Sequence, residues 1–295
     1  MEIGSTLRLG LATCRVNANL RQNSRMMPFF YDTHAHLGYP DFERELPAVI
    51  ERAKAAGISK IISIGTDENS SRNALKMAEI YPDVFAAVGW HPSDAQDAPE
   101  DIRPLLRELA THPKVVALGE TGLDYYRLPG KGNPAAAVND ERYKAKQLSL
   151  FQQHLEVAAE CGLNCVIHQR ECFEDTFRVL APFAGRVRGV FHCFANDAAS
   201  MQRVLALGSL VSFTGILTFK NGQNIRDTLA QTPLDGFMLE TDCPFLAPVP
   251  YRGKRCEPAY VKEISVTAAQ VKGCSLEQLS QATCRTAEKF FRNLA

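Results

Sequence analysis

Short apolar runs alternate with amphipathic stretches from residue 29 to the end of the chain. The apolar runs are rich in β-branched and aromatic residues, which is typical of β-strands. We predict eight strands, over 29–34, 60–65, 84–90, 115–120, 164–168, 188–193, 209–214 and 236–241. Because each run is followed by a helical pattern, the sequence predicts a parallel sheet with helices packed against it.

The helical pattern is clear in the first connecting stretch. Val49, Ile50 and Ala53 recur at helical spacing after Leu46, and Gly57 is well placed to end the helix. Similar patterns predict helices over 68–81, 99–111, 140–161, 171–182, 197–207, 222–230, 258–272 and 275–292.

Repeated strand-helix units over residues 29–295 favour one domain, because no linker interrupts them. Eight such units close a (β/α)8 TIM-type barrel, which is the predicted α/β fold. The longest connection joins the fourth and fifth strands, and its Pro- and Gly-rich stretch 129–134 predicts an inserted loop. An open doubly wound sheet is the alternative, but it would need a Gly-rich turn where His34-Ala35-His36 stands.

Residues 1–28 differ from the rest of the chain. They contain four arginines and one acidic residue up to residue 27, with no clear apolar periodicity. We predict a short, disordered N-terminal extension before the barrel. Two alternatives are a transit-like segment and an upstream start codon, with translation beginning at Met26 or Met27.

Composition narrows the possible partners. Thirty-three basic and 33 acidic side chains cancel, so any contact with nucleic acid must be local, and a long duplex-tracking surface is disfavoured. No apolar run approaches the roughly 20 residues of a membrane span. The nine cysteines include no Cys-x-x-Cys pair, and we expect reduced thiols in a cytoplasmic protein. The oligomeric state is left open, and a monomer is compatible with the sequence.

A pair of histidines stands at the end of the first predicted strand. Residues two apart on a strand point to the same face, so His34 and His36 can reach one metal ion. The first strand therefore predicts a metal site.

Further ligand-type side chains follow the apolar runs of other predicted strands. They are Glu120, His168, His192 and Asp242. The carboxyl ends of barrel strands converge, so these four side chains are expected to meet the two histidines. Six ligands exceed one tetrahedral zinc site, and they fit two divalent ions (zinc, magnesium or manganese) at about 3.5–4 Å from each other.

Other residues near these strand ends have two interpretations each. His91 could contact substrate or be a structural histidine. Cys193 and Cys243 adjoin predicted ligands, but strand alternation is expected to point them to the opposite face. Basic residues follow three strands, and they suit either a substrate phosphate or solvated loops: Arg170, Lys220, Arg252 and Arg255.

The same residues belong to a series of motifs that resembles the TatD family of metal-dependent hydrolases, often described as TatD-type deoxyribonucleases, among the amidohydrolase-like barrels. The resemblance covers essentially all of 29–295. Its motifs are Asp32-Thr33-His34-Ala35-His36, Gly89-Trp90-His91-Pro92, Gly119-Glu120-Thr121-Gly122-Leu123-Asp124-Tyr125, Ile167-His168-Gln169-Arg170, His192-Cys193-Phe194, Phe213 to Asn221, and Glu240-Thr241-Asp242-Cys243-Pro244. Two positions depart from the family pattern: Asn196, where glycine is common, and Cys256, where asparagine is usual.

The resemblance implies two metal ions and divides the ligands between them: His34, His36 and Asp242 for the first, His168 and His192 for the second, and Glu120 as the bridge. Asp242 would orient the attacking water or take its proton, so Asp242 and Glu120 are the predicted catalytic residues. The implied activity is phosphodiester hydrolysis on single-stranded or terminal DNA.

Two other functions stay open from the sequence. The same chemistry could serve a metal-dependent ester or amide hydrolase that acts on a small molecule or an aminoacyl nucleotide. A non-catalytic binding barrel is a third possibility, and the intact set of ligand-type residues argues against it.

Overall fold

The structure, a computed structural model, describes residues 28–294 together with Met1. Eight parallel strands pair in sequence order, from β1 to β8. The ring is completed between β1 and the segment after β8, where Ala35 pairs with Cys243 and the amide of His36 donates to the Cys243 carbonyl at 2.8 Å. The predicted TIM-type barrel is therefore confirmed. Most of the predicted N-terminal extension lies outside the described residues.

The strands are β1 (Phe30–Ala35), β2 (Ile58–Ile64), β3 (Val84–Val88), β4 (Val115–Asp124), β5 (Cys165–Arg170), β6 (Gly189–Phe191), β7 (Leu210–Phe213) and β8 (Phe237–Leu239). The α-helices of the described residues are α1 (Leu46–Ala55), α2 (Glu68–Ile80), α3 (Arg103–Ala110), α4 (Pro129–Gly132), α5 (Asp140–Cys161), α6 (Phe173–Leu180), α7 (Ala198–Ala206), α8 (Gln223–Gln231), α9 (Val261–Lys272) and α10 (Leu276–Phe290). Within residues 28–294, no helix has both the length and the apolar character to cross a membrane.

Local sequence signals explain where several helices begin and end. The Asp67 carboxylate accepts a bond from the Ser70 amide at 2.6 Å, and the Ser70 hydroxyl accepts one from the Asp67 amide, which forms a capping box at α2. Gly162 ends α5 and Gly273 ends α9, both in the left-handed conformation that favours glycine.

Some predicted boundaries were wrong. β4 continues to Asp124, so Glu120 lies inside this strand and not at its end. At Glu120 the register between β4 and β5 shifts. The helix predicted over 99–111 begins at Arg103, with Pro104 in its first turn, where a missing amide hydrogen is tolerated. The predicted inserted loop contains α4 and is followed by a 3-10 helix at Pro134–Asn139.

Two apolar clusters stabilise the barrel. One lies between the strands and the surrounding helices, and the other is centred on strand residues such as Ile62, Val116 and Val166. The second cluster includes Phe290 and Phe291, and the Arg292 amide donates to the Val116 carbonyl at 3.1 Å. The C-terminal segment therefore covers the amino end of the barrel, and the carboxyl end is left for other use.

β4 and β5 approach each other unusually closely at Gly122. This residue has φ of +133°, which side chains rarely adopt, and a Cβ atom here would collide with the His168 carbonyl oxygen. Gly122 pairs with His168 across the two strands. Glycine is therefore required if β4 is to hold its register beside His168.

We predict that Gly122→Ala destabilises the protein by about 2 kcal/mol or more, because the backbone must leave its positive φ and the clash must be relieved. Urea unfolding measures this change. The control is Gly132→Ala, where a Cβ atom would meet no heavy atom within 4 Å. An equal effect of the two substitutions would contradict the role of the β4-β5 contact.

Candidate metal centre

A cavity of about 590 Å³ opens among the loops at the carboxyl ends of the strands. Five of the six predicted ligands line it, namely His36, Glu120, His168, His192 and Asp242. The sixth, His34, is fully buried beside them. The structure therefore brings all six side chains to one place, at the carboxyl face where barrel enzymes have their active sites.

The first group of ligand atoms comes from β1, β4 and the segment after β8. The Nε2 atoms of His34 and His36 are 3.3 Å apart. Glu120 Oε2 lies 3.4 Å from His34 Nε2 and 3.6 Å from His36 Nε2. Asp242 Oδ1 lies 3.6 Å from His34 Nε2 and 3.3 Å from His36 Nε2. Ligands bound at about 2.0–2.1 Å in a tetrahedron stand roughly 3.3–3.4 Å apart, so these atoms fit one ion.

The second group surrounds the other oxygen of the same carboxylate. Glu120 Oε1 lies 2.8 Å from His192 Nε2, 2.9 Å from His168 Nδ1 and 3.3 Å from His91 Nε2. His168 Nδ1 and His192 Nε2 are 3.2 Å apart. Each oxygen of Glu120 thus faces a separate set of imidazole nitrogens.

The electrostatics of the centre favour positive charge. Burial would raise the pKa of Glu120, but His192, His91 and His34 outweigh it and hold this pKa well below its usual value. Burial opposes protonation of His192, yet Glu120 and then Glu240 raise its pKa well above the ordinary range. A buried carboxylate among imidazoles needs cations, and the nitrogen and oxygen donors fit divalent metal ions.

Asp242 sits in a sharp turn after β8. Its φ is +58°, and its amide donates to the His34 carbonyl at 2.9 Å. Its side chain is 15% exposed, against 3% for Glu120. Burial would raise the pKa of Asp242, but the hydrogen bond to His36 and the charges of the histidines lower it. An ionised carboxylate at the cavity edge can both hold a cation and accept a proton.

Asp124 supports His168 from outside the ligand set. Asp124 Oδ2 lies 3.2 Å from His168 Nε2, which leaves Nδ1 to face Glu120. Its Oδ1 accepts the amides of Tyr126 at 2.9 Å and Arg127 at 3.0 Å. Sequence reasoning assigned Asp124 no role, although it lies in the motif that contains Glu120. The sequence signal was its position two residues after Gly122 on β4, because residues two apart on a strand point to the same face.

Glu240 has the corresponding place behind His192. Its Oε1 lies 3.6 Å from His192 Nδ1 and accepts the Cys193 amide at 2.7 Å. Its Oε2 accepts the Ser212 hydroxyl at 2.7 Å. This buried acid was also missed. The 3.6 Å contact with His192 Nδ1 is within ion-pair distance but is too long for a hydrogen bond.

His91 lies at the cavity but differs from the other histidines. Its Nδ1 accepts the Ser93 amide at 3.0 Å, which puts the ring proton on Nε2. Nε2, which carries the proton, lies 3.3 Å from Glu120 Oε1. Burial lowers the pKa of His91 to about 4. The ring is thus suited to a neutral contact with Glu120 or with a bound molecule.

The structure places only one of the four predicted basic residues at the cavity. Arg170 lines the cavity and lies over the Tyr126 ring at 3.6 Å. Lys220, Arg252 and Arg255 are not among the lining residues. Arg255 instead pairs with acidic residues, Glu45 at 2.8 Å and Glu257 at 2.8 Å. Arg127, which was not singled out from the sequence, also lines the cavity.

One prediction about the cysteines was wrong. Cys193 lines the cavity together with its neighbour His192. Strand alternation does not apply there, because β6 ends at Phe191 and Cys193 has φ of +46°. Cys243 is buried, as predicted for a small side chain.

Comparison with known proteins relates the chain to metal-dependent hydrolases. The family model described as TatD related DNase matches residues 31–292. The uncharacterized metal-dependent hydrolase YabD of Bacillus subtilis is 37% identical, over 89% of this chain and 98% of its own. The 3'-5' ssDNA/RNA exonuclease TatD of Enterobacter lignolyticus is 33% identical, over 88% of this chain and 98% of its own.

A solved structure gives the same picture. The TatD homolog YjjV of Escherichia coli K12 superposes with a TM-score of 0.81 at 26% identity, and the match covers 90% of this chain and 99% of that one. The relatives therefore share the barrel over nearly its whole length.

We predict that Asp124→Asn weakens divalent metal affinity about 10- to 100-fold, because His168 loses the charged partner that orients its ring. Competition with a chromophoric chelator measures the affinity. Asp175→Asn is the control, since Asp175 accepts the Tyr125 hydroxyl at 2.8 Å outside the cavity lining. Unchanged affinity in a folded Asp124→Asn protein would exclude this role.

Proposed function

The chain belongs to the TatD family of metal-dependent hydrolases, and from this premise we propose that it removes nucleotides from the ends of single-stranded DNA. The observation that carries the proposal is that the two carboxylate oxygens of Glu120 face two separate groups of ligand atoms in one cavity. The name of the Enterobacter lignolyticus relative, a 3'-5' ssDNA/RNA exonuclease, supports the choice of substrate.

Two divalent ions account for the six donor side chains. His34, His36 and Asp242 would hold the first ion. His168 and His192 would hold the second, and Glu120 would contribute one oxygen to each. Two-metal sites of this kind are common among enzymes that cleave phosphate esters.

When bound, the ions would lower the pKa of a water molecule and offset the negative charge of the phosphate oxygens. Hydrolysis forms a bond from the water oxygen to phosphorus and breaks the bond from phosphorus to the sugar oxygen. Asp242 accepts the proton that the water releases, since its lowered pKa keeps it ionised at neutral pH. Glu120 and the histidines keep their positions, because neighbouring strands hold them.

Two arginines of the cavity lining can bind the phosphate. Arg127 and Arg170 line the cavity, and arginine binds phosphate through paired hydrogen bonds. The chain as a whole has no net charge, so few phosphates can be engaged at once. This combination suits a strand end better than a long duplex.

We expect the protein loaded with Mg²⁺, Mn²⁺ or Zn²⁺ to shorten single-stranded DNA from an end, and to cut internal duplex DNA poorly. Oligonucleotides labelled at the 3′ or the 5′ end, with duplex DNA, RNA and an aminoacyl ester in the same panel, measure the preference. Asp242→Asn should lower kcat by about 10²-fold or more, as expected for loss of a general base.

The panel also distinguishes the alternatives. Hydrolysis of the aminoacyl ester without any cleavage of oligonucleotides would favour the carbonyl hydrolase. If Asp242→Asn kept its metal and turned over at nearly the wild-type rate, Asp242 would have no part in proton transfer.

The two-ion arrangement has a separate test. Elemental analysis after metal loading should approach two ions per chain, and His192→Ala should lose mainly one, because His192 Nε2 lies 2.8 Å from Glu120 Oε1, the oxygen of the second group. His112→Ala is the control, since His112 pairs with Glu79 at 3.3 Å outside the cavity lining. A stoichiometry that stays at one under saturating metal would overturn the arrangement.

A further inference from the structure

The cavity has two unlike walls. Tyr39 and Phe245 line it beside the first ligand group, next to β1 and the segment after β8. Arg127 and Arg170 line it beside the second group, at the ends of β4 and β5. Strands β1 and β8 lie opposite β4 and β5 in an eight-stranded ring. An aromatic wall therefore faces a cationic wall across the metal centre.

Phe245 is the more accessible ring of the aromatic wall. It is 49% exposed, although it lies in a tightly held turn. Its amide donates to the Asp242 carbonyl at 3.0 Å, and the preceding carbonyl, that of Pro244, accepts the Cys256 amide at 2.9 Å. The main chain of Phe245 is thus held close to Asp242. An exposed aromatic ring at the edge of a cavity offers a face on which a flat ring can stack.

Tyr39 packs against Phe245 on one side and against His36 of the first ligand group on the other. The two rings meet at 5.8 Å between centroids with an interplanar angle of 83°, and Tyr39 lies 4.8 Å from the His36 ring. Edge-to-face contact of this kind stabilises the ring that receives it. Phe245 is therefore supported on one side and open on another.

The cationic wall carries charge that the protein does not neutralise. Within residues 28–294, neither Arg127 nor Arg170 has a carboxylate within ion-pair distance, whereas Arg255 and Arg203 are paired with acids. The Arg170 guanidinium is held over Tyr126 at 3.6 Å, which positions it without cancelling its charge. Asp94 and Asp124 also line the cavity, but neither arginine is held in an ion pair, so both guanidinium groups can receive an anion.

We propose that the cavity binds the terminal nucleotide of a single strand with its base stacked on Phe245 and a neighbouring phosphate on Arg127 and Arg170. This inference rests on the proposed function and adds an orientation to it. The reacting phosphodiester would then lie over the metal centre, between the two walls. An anion with an aromatic ring at one end matches both walls at once.

Recognition of this kind has a consequence for specificity. A ring face offers stacking to every base and no hydrogen bond that reads its edge, so the four bases should be accepted with similar rates. A base inside a duplex is stacked on its neighbours and cannot reach Phe245. The terminal base must therefore be unpaired, and selection for single strands would follow from the aromatic wall.

The test compares an oligonucleotide that ends in a normal nucleotide with one that ends in an abasic residue. The metal-loaded wild-type protein should cleave the first with a kcat/KM about tenfold higher or more, the range expected when one stacked base is lost. Phe245→Leu should lose this advantage, mainly through a higher KM, and should match the wild type on the abasic strand. Phe245→Trp should retain the advantage.

Matched controls separate stacking from folding. Val249→Ala changes a residue of the same loop that is equally exposed, at 49%, but does not line the cavity, so it should keep the wild-type preference. Arg170→Gln should weaken the binding of both oligonucleotides and reduce the salt dependence of KM. Arg186→Gln should change neither the binding of the oligonucleotides nor the salt dependence of KM. Arg186 lies over Phe183 at 5.1 Å just before β6 begins, away from the cavity.

The outcomes distinguish this inference from the proposed function. If no oligonucleotide is cleaved with any of the three metals, the proposed function fails. If wild type cleaves normal and abasic ends equally, or if Phe245→Leu keeps the preference, the nuclease stands and the stacking role of Phe245 is overturned. The same preference for a normal over an abasic terminal residue at the paired end of a duplex would also contradict it, because a paired base cannot reach Phe245.

Discussion

One buried carboxylate determines how the carboxyl face of this barrel is built. Glu120 is almost inaccessible, and an unpaired charge in such a place would cost several kcal/mol. Imidazoles from β1, β5 and the segments after β3 and β6 surround it, and metal ions would complete the compensation. His91, His168 and His192 come from strands that neighbour β4 or each other, whereas His34 on β1 reaches Glu120 across the ring of strands. Closure of the barrel therefore completes the site.

The surroundings of this carboxylate make its geometry specific. Asp124 contacts His168 Nε2 at 3.2 Å, Glu240 lies 3.6 Å from His192 Nδ1, and Asp32 accepts the Thr241 hydroxyl at 2.6 Å, which joins β1 to the segment that carries Asp242. Gly122 allows β4 to press against β5. Because each support acts on a different strand, the ligand atoms are kept in place before any ion binds, which lowers the ordering cost of binding.

The sequence was sufficient to predict the strand order and the meeting of the six candidate ligands, because both depend on the strand-helix alternation and on the rule that barrel strands converge at their carboxyl ends. It could not locate Glu120 inside β4, since a register shift leaves no mark in hydrophobic periodicity. Arg255 illustrates a second limit. Its acidic partner Glu45 is distant in sequence, so a residue that looked free for phosphate is in fact paired. Arg127, which lines the cavity, carried no signal beyond its proximity to a motif.

The pairing of Arg255 gives the loop after β8 its function in this arrangement. Arg255 and Arg52 both bind Glu257, and both also reach Glu45 on the approach to α1. This network fastens the far end of the loop whose near end carries Asp242 and Phe245. Each pair is partly exposed and contributes modestly alone, but a network limits the motion of the loop. Asp242, the proposed proton acceptor, and Phe245, the proposed stacking ring, are thus positioned by one anchored segment, so movement of either would disturb both.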